Sequence, residues 1–488
     1  MNYWSSSEWS AGYAFNLNFN SNGNLNFNRN NAKSNSYRVR PVLACLYNIT
    51  INKEKILSDM NRVQQLSLFP PEEMGGFSLQ EVLHAYRVCL RGKGGTVEAQ
   101  KFSYRYMSEC VQLWRSLNDQ SYQLSLFIAF ISFYPVMREI YGSKFVDRLV
   151  DTIIYLKLLP PLELQFVIDN YSTRKDKGSL FGARRIAQMI YEVSEGYTRD
   201  CWILKDDIKS FFMSMEKQRV MDNWTAFVHE NYHEADAELI IATLRKIVFF
   251  RPELNCIRKG SLRDWDPMPP DKLLGSQGSR RGFPIGKVIS QLSALMFLDA
   301  IDHIITYVWK IRNGHYMDDR VMVDKSREKL QEAKRELDKK HEEIGLRTHP
   351  RKTYLQHYSK GVLFGGAMIL PGRIYVSNRT VGNCFRRLSA FNHLAQTEPG
   401  YVEQHAEEFA QVMNSYFGQM GHYAEWNTVH RVIREIGAEW YRVMMVVGKR
   451  GRYKVHVHPS YCLRRTVVRK HRCRMITLLN DNDRTGTV

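Results

Sequence analysis

The sequence predicts an α+β protein, and three observations carry that prediction. Apolar residues make up 44% of the 488 and aromatic residues 12%, enough for a sizeable core and too much for wholesale disorder. Several stretches repeat leucine, valine and alanine at helical spacing. Between them lie short apolar runs, WILKDDI (202–208) and HYMDDRVMV (315–323), that read as strands.

Residues 1–44 stand apart. From Asn16 onward Asn alternates with Leu or Phe (NLNFNSNGNLNFN), a period of two that suits β-strands with one buried face, and Asn22-Gly23 is a hairpin signal. In the first 37 residues only Glu8, Arg29 and Lys33 carry charge. Residues 45–125 are predicted to form an N-terminal helical region; Ser78 caps a helix in GFSLQEVLHAYRVCL, and RGKGG (91–95) interrupts the run. Residues 126–200 form the next region, and across 123–168 short apolar runs alternate with charged turns. Residues 201–375 hold the strands, an apolar helix over 289–311 and a charged helix over 324–344 with Leu330, Ala333, Leu337 and Ile344 on one stripe. Residues 376–440 are mostly helical. Residues 441–488 read as a basic tail, since eleven Lys or Arg and no acidic residue fall between 440 and 480.

Lys and Arg number 69 against 50 Asp and Glu, a formal net charge of +19 that points to a polyanionic partner, nucleic acid before acidic membrane. Every apolar run of membrane-spanning length is broken by charge, so no membrane association is expected, and the N-terminus MNYWSSSEW does not read as a signal peptide. The eight cysteines, at 45, 89, 110, 201, 256, 384, 462 and 473, form no CxxC pair. They read as reduced thiols in a cytoplasmic protein.

The chemistry starts at Asp318 and Asp319. Adjacent carboxylates are common in polar turns, but a buried pair needs a cation to stay ionised, which makes a divalent-metal site the alternative reading. Asp207, closing the strand WILKDDI, supplies a third carboxylate from elsewhere in the chain. Two Mg²⁺ ions, or Mn²⁺, held by so sparse a set could serve phosphoryl chemistry. Asp206 faces the opposite way along the strand and is secondary.

YMDD preceded by DIKSFF (207–212) resembles the palm of a reverse transcriptase, and further pieces follow in that family's order. PVMREIYGSKFVDRLVDTIIY (135–155) resembles the N-terminal fingers segment, and STRKDKGSLFGARR (172–185) is similar to the fingers strand and helix that carry basic triphosphate contacts. GFPIGKVISQLSALMFLDAID (282–302) resembles motif B, GLRTHPRKTYL (345–355) motif D and GVLFGG (361–366) the primer-grip turn. MNSYFGQMGHYAEW (413–426) resembles a thumb helix, with Tyr416, Gly418 and His422 matching.

The resemblance implies a right-hand polymerase: fingers over 126–200, a palm with an antiparallel sheet over 201–375 and a helical thumb over 376–440. It implies RNA-templated addition of dNTPs to a DNA primer. Metal binding would fall to Asp207, Ile208, Asp318 and Asp319. Nucleotide contacts would come from Lys177, Arg184, Ser210, Phe211, Phe212, Ile285, Gly286, Ser290 and Gln291, with Phe212 a steric gate against a ribose 2′-hydroxyl. Gly361, Phe364 and Gly365 would grip the primer. Lys352 is a candidate acid for the leaving pyrophosphate or a plain surface lysine. His315 and His349 read as structural.

One departure narrows the family. Most reverse transcriptases carry Gln-Gly and then Ser-Pro in motif B, where this chain has Ile285-Gly286 and Ser290-Gln291. An isoleucine cannot hydrogen-bond the incoming sugar, and lost hydrogen bonds mean lost discrimination. IGxxxSQ resembles the reverse transcriptases of diversity-generating retroelements, which copy a template-repeat RNA, misincorporate opposite adenine and work with an accessory variability-determinant protein. YWSSSEWSAGYAFNLNFN likewise resembles the end of a lectin-fold variable protein. Asn codons tolerate substitution at their leading adenines without creating stops, so residues 1–44 read as template repeat translated in frame; a genuine β-rich binding module is the second reading. Rivals for the whole chain are a retron, group II intron or defence-linked reverse transcriptase, and a catalytically silent RNA-binding or lectin-like protein.

Overall fold

The computed structural model describes residues 76–461, apart from 134–135, 424 and 450–451, together with three strands near the N-terminus. Those strands, β1 (Asn2–Ser10), β2 (Tyr13–Phe19) and β3 (Leu25–Asn28), form an antiparallel sheet in which Asn16 stands opposite Asn28. They fall in a unit of their own, Met1–Met74. The Asn22-Gly23 turn, residues 29–75 and residues 462–488 lie outside the described residues.

The second unit opens with α1 (Leu79–Lys93), α2 (Val97–Tyr104) and α3 (Tyr106–Asn118). Ser78 starts α1 through a capping box: its hydroxyl accepts the Glu81 N–H at 3.2 Å and the Glu81 carboxylate accepts the Ser78 N–H at 2.8 Å. Next come β4 (Phe127–Ser132), β5 (Arg138–Gly142) and α4 (Phe145–Gln165). The charged turns expected across 123–168 give way at α4 to one 21-residue helix that runs through Pro160 and Pro161. Prolines cost it hydrogen bonds, but Leu149, Ile153, Leu158 and Leu162 are all buried, and the packing of Leu158 and Leu162 holds the last turns.

After α5 (Ser179–Val193) and β6 (Trp202–Asp207) come α6 (Phe211–Ser214), α7 (Lys217–Asn231), α8 (Ala237–Phe249) and β7 (Cys256–Arg258), the last pairing parallel to β4. The fingers strand expected within 172–185 is absent: 172–178 is a run of turns, with Thr173 and Asp176 at φ 53° and 58°, and such backbone cannot extend into a ladder. Then follow α9 (Val288–His303), a π-turn at Ile304–Val308, β8 (Arg312–Tyr316), β9 (Asp319–Asp324), α10 (Arg327–Glu343) and β10 (Tyr354–His357). By length and composition Val288–Val308 could cross a membrane, against the sequence expectation, but 72% of its apolar window is buried inside the protein. A helix apolar all round is a core helix when it is packed all round. In α10 Leu330, Ala333 and Leu337 are buried as one stripe, while Ile344 sits half-buried just past the helix end.

The central sheet has the order β10-β6-β9-β8, every pair antiparallel. On one face Leu204 and Met322 join a core with α4, α7, α9 and α10. On the other, Ile203, Val321 and Val323 pack with α5 and with a second sheet, β11 (Val362–Phe364), β12 (Ala367–Leu370) and β13 (Arg373–Val376).

The C-terminal part combines α11 (Asn378–Thr397), α12 (Tyr401–Met420), α13 (Trp426–Arg434) and a hairpin of β14 (Met444–Lys449) with β15 (Arg452–Val457). The expected boundary at 440 is therefore misplaced. Trp440, stacked on Phe409 at 4.0 Å between ring centres, shares one core with Val443, Met444 and Val455, and Asn414 of α12 exchanges two hydrogen bonds with the Val455 backbone. The basic segment is a packed hairpin as far as Val457 rather than a tail. Glu425, before α13, accepts the Val376 N–H at 2.8 Å and ties this core to β13.

Candidate active site

The site grows from the strand ladder. Asp207 ends β6 directly opposite Asp319, the first residue of β9, and Tyr316 ends β8 opposite Asp319 from the other side. Opposed residues point to one face and successive residues alternate, so Lys205, Asp207 and Asp319 share a face while Asp206 and Arg320 share the reverse. Asp318 sits in the two-residue turn between β8 and β9. Met317 beside it has φ 57°, a region that favours glycine, and its N–H donates to Ser172 Oγ at 2.6 Å. The tip of the hairpin is thus held in a strained shape from outside.

Asp207 and Asp318 feel each other. Burial, and then the charge of Asp207, push the Asp318 carboxyl above its usual range, while Lys352 and Arg138 pull it back. Lys352 Nζ lies 3.0 and 3.1 Å from the two oxygens of Asp207. Asp319 is engaged differently, by Lys205 and by the Gly365 N–H at 3.1 Å. Burial pushes the Lys205 ammonium down to about 8, against Asp207, Asp318 and Asp206. On the reverse face burial pushes Asp206 up to about 6 although Arg320 opposes it. Behind the hairpin Asp302 of α9, fully buried, forms ion pairs with Arg320 Nη2 and His315 Nε2, each at 2.7 Å.

The other expected contacts separate into groups. Phe212 and Ile285 pack on the same small apolar cluster, Phe127, Ala129, Tyr141, Met213 and Leu274, and β5 joins it through the Tyr141 N–H to the Ile285 carbonyl at 3.1 Å. Gly286 has φ 117°, and a Cβ there would meet the Tyr141 carbonyl oxygen at 3.2 Å. Phe211 is buried in the large core against Phe212. Ser290 is buried in the first turn of α9, and Gln291 accepts from Thr173 Oγ1 at 3.0 Å. Ser210 turns away from this group: its hydroxyl donates to Asp271 at 3.0 Å beside a cavity of about 500 Å³ lined also by Lys209, Ser214, Gln277 and Arg281. Ile208 is buried and bridged to Thr348. Phe364 is fully buried against Tyr171, and Gly361 and Gly365 take the positive-φ positions of their turns.

Two expected triphosphate contacts point elsewhere. Lys177 Nζ donates to the Ile168 carbonyl at 2.6 Å, and Arg184 lies near Tyr423 of the C-terminal part. Besides Lys352, the charge of Arg138 reaches Asp318; Arg138 stands at the start of β5 and the sequence reading passed over it. Its signal was a lone arginine opening the strand REIYG, and nothing local tied it to Asp318. Lys205 was missed too, although the period of two placed it on the face of Asp207.

A divalent cation fits the donors present. Asp207 and Asp318 offer hard carboxylate oxygens that repel when bare, and no group of three or more His, Cys, Asp or Glu among the described residues could enclose a metal by itself. Mg²⁺ suits such a half-site, because it takes one or two carboxylates and completes its shell with substrate phosphates.

Asp207 at the end of β6, Asp318 in the β8–β9 turn, Lys352 against the first and the charge of Arg138 felt by the second form an arrangement suited to a divalent cation and its phosphate ligands. Residues 163–369 match the reverse transcriptase (RNA-dependent DNA polymerase) family. The chain thus carries a reverse transcriptase domain, that of an RNA-dependent DNA polymerase and so of a nucleotidyltransferase. Enzymes of this class act on template RNA and primer with dNTPs, and generally use divalent ions such as Mg²⁺. Similar solved structures include apo telomerase from Candida tropicalis truncated from the C-terminal domain, at 13% identity over 51% of this chain with a TM-score of 0.36. Telomerase from Candida albicans with the TWJ fragment of telomeric RNA is similar at 12% identity over 64% of this chain, with a TM-score of 0.36. The chain spans 55% of the length of each. No curated protein matches it.

Proposed function

We propose that the chain is an error-prone RNA-directed DNA polymerase that copies a template-repeat RNA into cDNA for targeted mutagenesis of a variable gene. The observation that carries the polymerase reading is the placement of Asp207 directly opposite Asp319 on adjacent strands, with Asp318 in the turn beside them. Asp207 and Asp318 would hold Mg²⁺, with Ile208 beside them. The ion supplies activation of the primer 3′-hydroxyl and neutralisation of the leaving pyrophosphate. Arg138 binds and orients the triphosphate from the β5 side, in place of Lys177 and Arg184. Lys352, with its side chain 58% exposed, can pass a proton to a leaving phosphate oxygen beside Asp207. Phe212 closes the pocket against a 2′-hydroxyl, and the β11–β12 turn supports the primer.

The mutagenic reading rests on Ile285, whose side chain joins an apolar cluster where a glutamine would offer a hydrogen-bonding amide. The described cysteines, Cys89, Cys110, Cys201, Cys256 and Cys384, are free thiols, in keeping with a cytoplasmic setting. An accessory protein and the template RNA are the partners this reading calls for, and residues 1–44 belong to it as translated template.

Primer extension on an adenine-containing RNA, with sequencing of the product, tests the proposal. Misincorporation should concentrate opposite adenine, and Ile285→Gln should reduce it. Faithful copying by the wild type with its accessory protein would leave a retron-like or intron-like enzyme instead.

Arg138 gives a second expectation. Arg138→Ala should raise the KM for dNTP by about 10- to 100-fold, the worth of a charge-assisted contact. Lys177→Ala and Arg184→Ala should change it far less. Steady-state nucleotide titrations decide between them, and a larger effect at Lys177 would restore the sequence-based assignment.

A further inference from the structure

The β14–β15 hairpin sorts its residues by face. Met444 stands opposite Val457, Val446 opposite Val455 and Gly448 opposite Tyr453, and on that side Met444 and Val455 are buried in the C-terminal core. The alternate residues point the other way: Met445 opposite His456, Val447 opposite Lys454 and Lys449 opposite Arg452. All of these outward residues are exposed. The mount is firm, since the Asn414 amide of α12 bonds both the N–H and the carbonyl of Val455.

Lys449 faces Arg452 directly across the ladder, where like charges repel, and Lys454 follows on the same face. Among the described residues no carboxylate pairs with Lys449, Arg452 or Lys454. The charged helix α10 shows the opposite arrangement: Lys334 pairs with Asp338, Arg335 with Glu332, Lys339 with Glu336 and Lys340 with Glu343. Charge on α10 is answered within its own helix, whereas charge on the hairpin is left for an anion from outside the chain. The face of two short strands is far smaller than the about 20–30 residues a side of a stable protein interface. A track of phosphates needs much less. Arg452, Lys454 and His456 recur at every second residue of β15, roughly 7 Å apart, a step that suits an extended nucleic-acid strand. Met445 and Val447, 45% and 50% exposed, lie on the same face. An unstacked base can cover such apolar side chains, while a duplex keeps its base faces inside the stack.

We propose that the outer face of the β14–β15 hairpin is a docking surface for single-stranded RNA. Binding there needs neither metal nor nucleotide, so it stands apart from the polymerase reading.

The test is fluorescence anisotropy of the full chain with a labelled single-stranded RNA of about 12 nucleotides, within the span of single-strand binding sites, and with an RNA–DNA duplex of equal length, across a salt series. Lys449→Gln/Arg452→Gln/Lys454→Gln should lower single-strand affinity by about tenfold or more. It should also flatten the slope of log affinity on log salt by about 2, at ~0.7 for each lost phosphate contact. Removing as many charges from α10, in Lys334→Gln/Arg335→Gln/Lys339→Gln, should change affinity by less than about threefold, because those cations are already paired. Met445→Ser/Val447→Ser should weaken the single strand by about threefold, the scale of two partly covered apolar side chains, and leave the duplex unchanged. The hairpin glutamine variant should melt no lower than wild type, because it relieves the Lys449–Arg452 repulsion. Should it melt lower, Arg452→Gln alone should still flatten the slope by ~0.7. Unchanged affinity in the hairpin variants would overturn the assignment and leave the face to a protein partner. An equal loss in the α10 variant would overturn it in favour of net charge alone, and a loss as large on the duplex in favour of primer-template. A wild type that binds RNA through the hairpin but extends no primer would remove the polymerase reading and leave this surface standing.

Discussion

Asp318→Ala should abolish primer extension while leaving the protein as stable as before, or more so. The expected loss is about 10³-fold or greater, the cost of removing charge stabilisation of ~4 kcal/mol from a transition state. The stability expectation follows from the same geometry. Burial and the neighbouring Asp207 both disfavour the charged form of Asp318, so the folded protein bears a repulsion that alanine relieves. Asp207→Asn should be equally inactive, but it leaves Lys352 without its carboxylate partner and should gain no stability. Primer extension and thermal melting on the same preparations check both halves. Retention of more than about 1% of wild-type extension by Asp318→Ala would end the polymerase mechanism as drawn.

Asp302→Ala should be the most destabilising single change near the site. Asp302 is fully buried and is held by both His315 and Arg320, so its removal strands an arginine in the interior. Breaking a buried ion pair from one side costs about 3–5 kcal/mol, which corresponds to a drop of roughly 10 °C in Tm for a domain of this kind. The pH dependence has a definite sign. Burial alone would raise the Asp302 carboxyl, but His315 and Arg320 hold it below the ordinary range. A depressed folded pKa gives stability that is present above the unfolded value, about 4, and is lost as pH falls through the folded one. Wild type should therefore lose this increment in acid, and Asp302→Ala should show no such increment to lose. Melting curves at neutral pH and between about pH 4 and pH 2.5 report both. A variant with wild-type stability would show that the triad contributes nothing.

What could be read from the sequence was local. The alternation in WILKDDI put Asp207 and Asp206 on opposite faces, and HYMDD placed Asp318 at a hairpin tip, because strand geometry repeats every two residues. The stripe of α10 was visible for the same reason at helical period. Arg138 was not visible, because its nearness to Asp318 depends on β5 docking against Ile285, far along the chain. Lys177 Nζ donates to the Ile168 carbonyl, a contact with no local signal, and positive φ at Thr173 and Asp176 removed the strand expected there. The hairpin of β14 and β15 was hidden by its charge: only Met444 and Val455 are fully buried, with Val446, Tyr453 and Val457 half-buried beside them among so many cations.

The tie between Glu425 and Val376 has a mechanical consequence. A buried side chain reaching back 49 residues to the end of β13 latches the root of the helical C-terminal part to the small sheet that carries the Gly365 turn. If the helices swing to admit or release a duplex, the small sheet must travel with them or the latch must open. Motion would then be transmitted as a lever to Gly365, within reach of Asp319, rather than absorbed by a slack joint at residue 377.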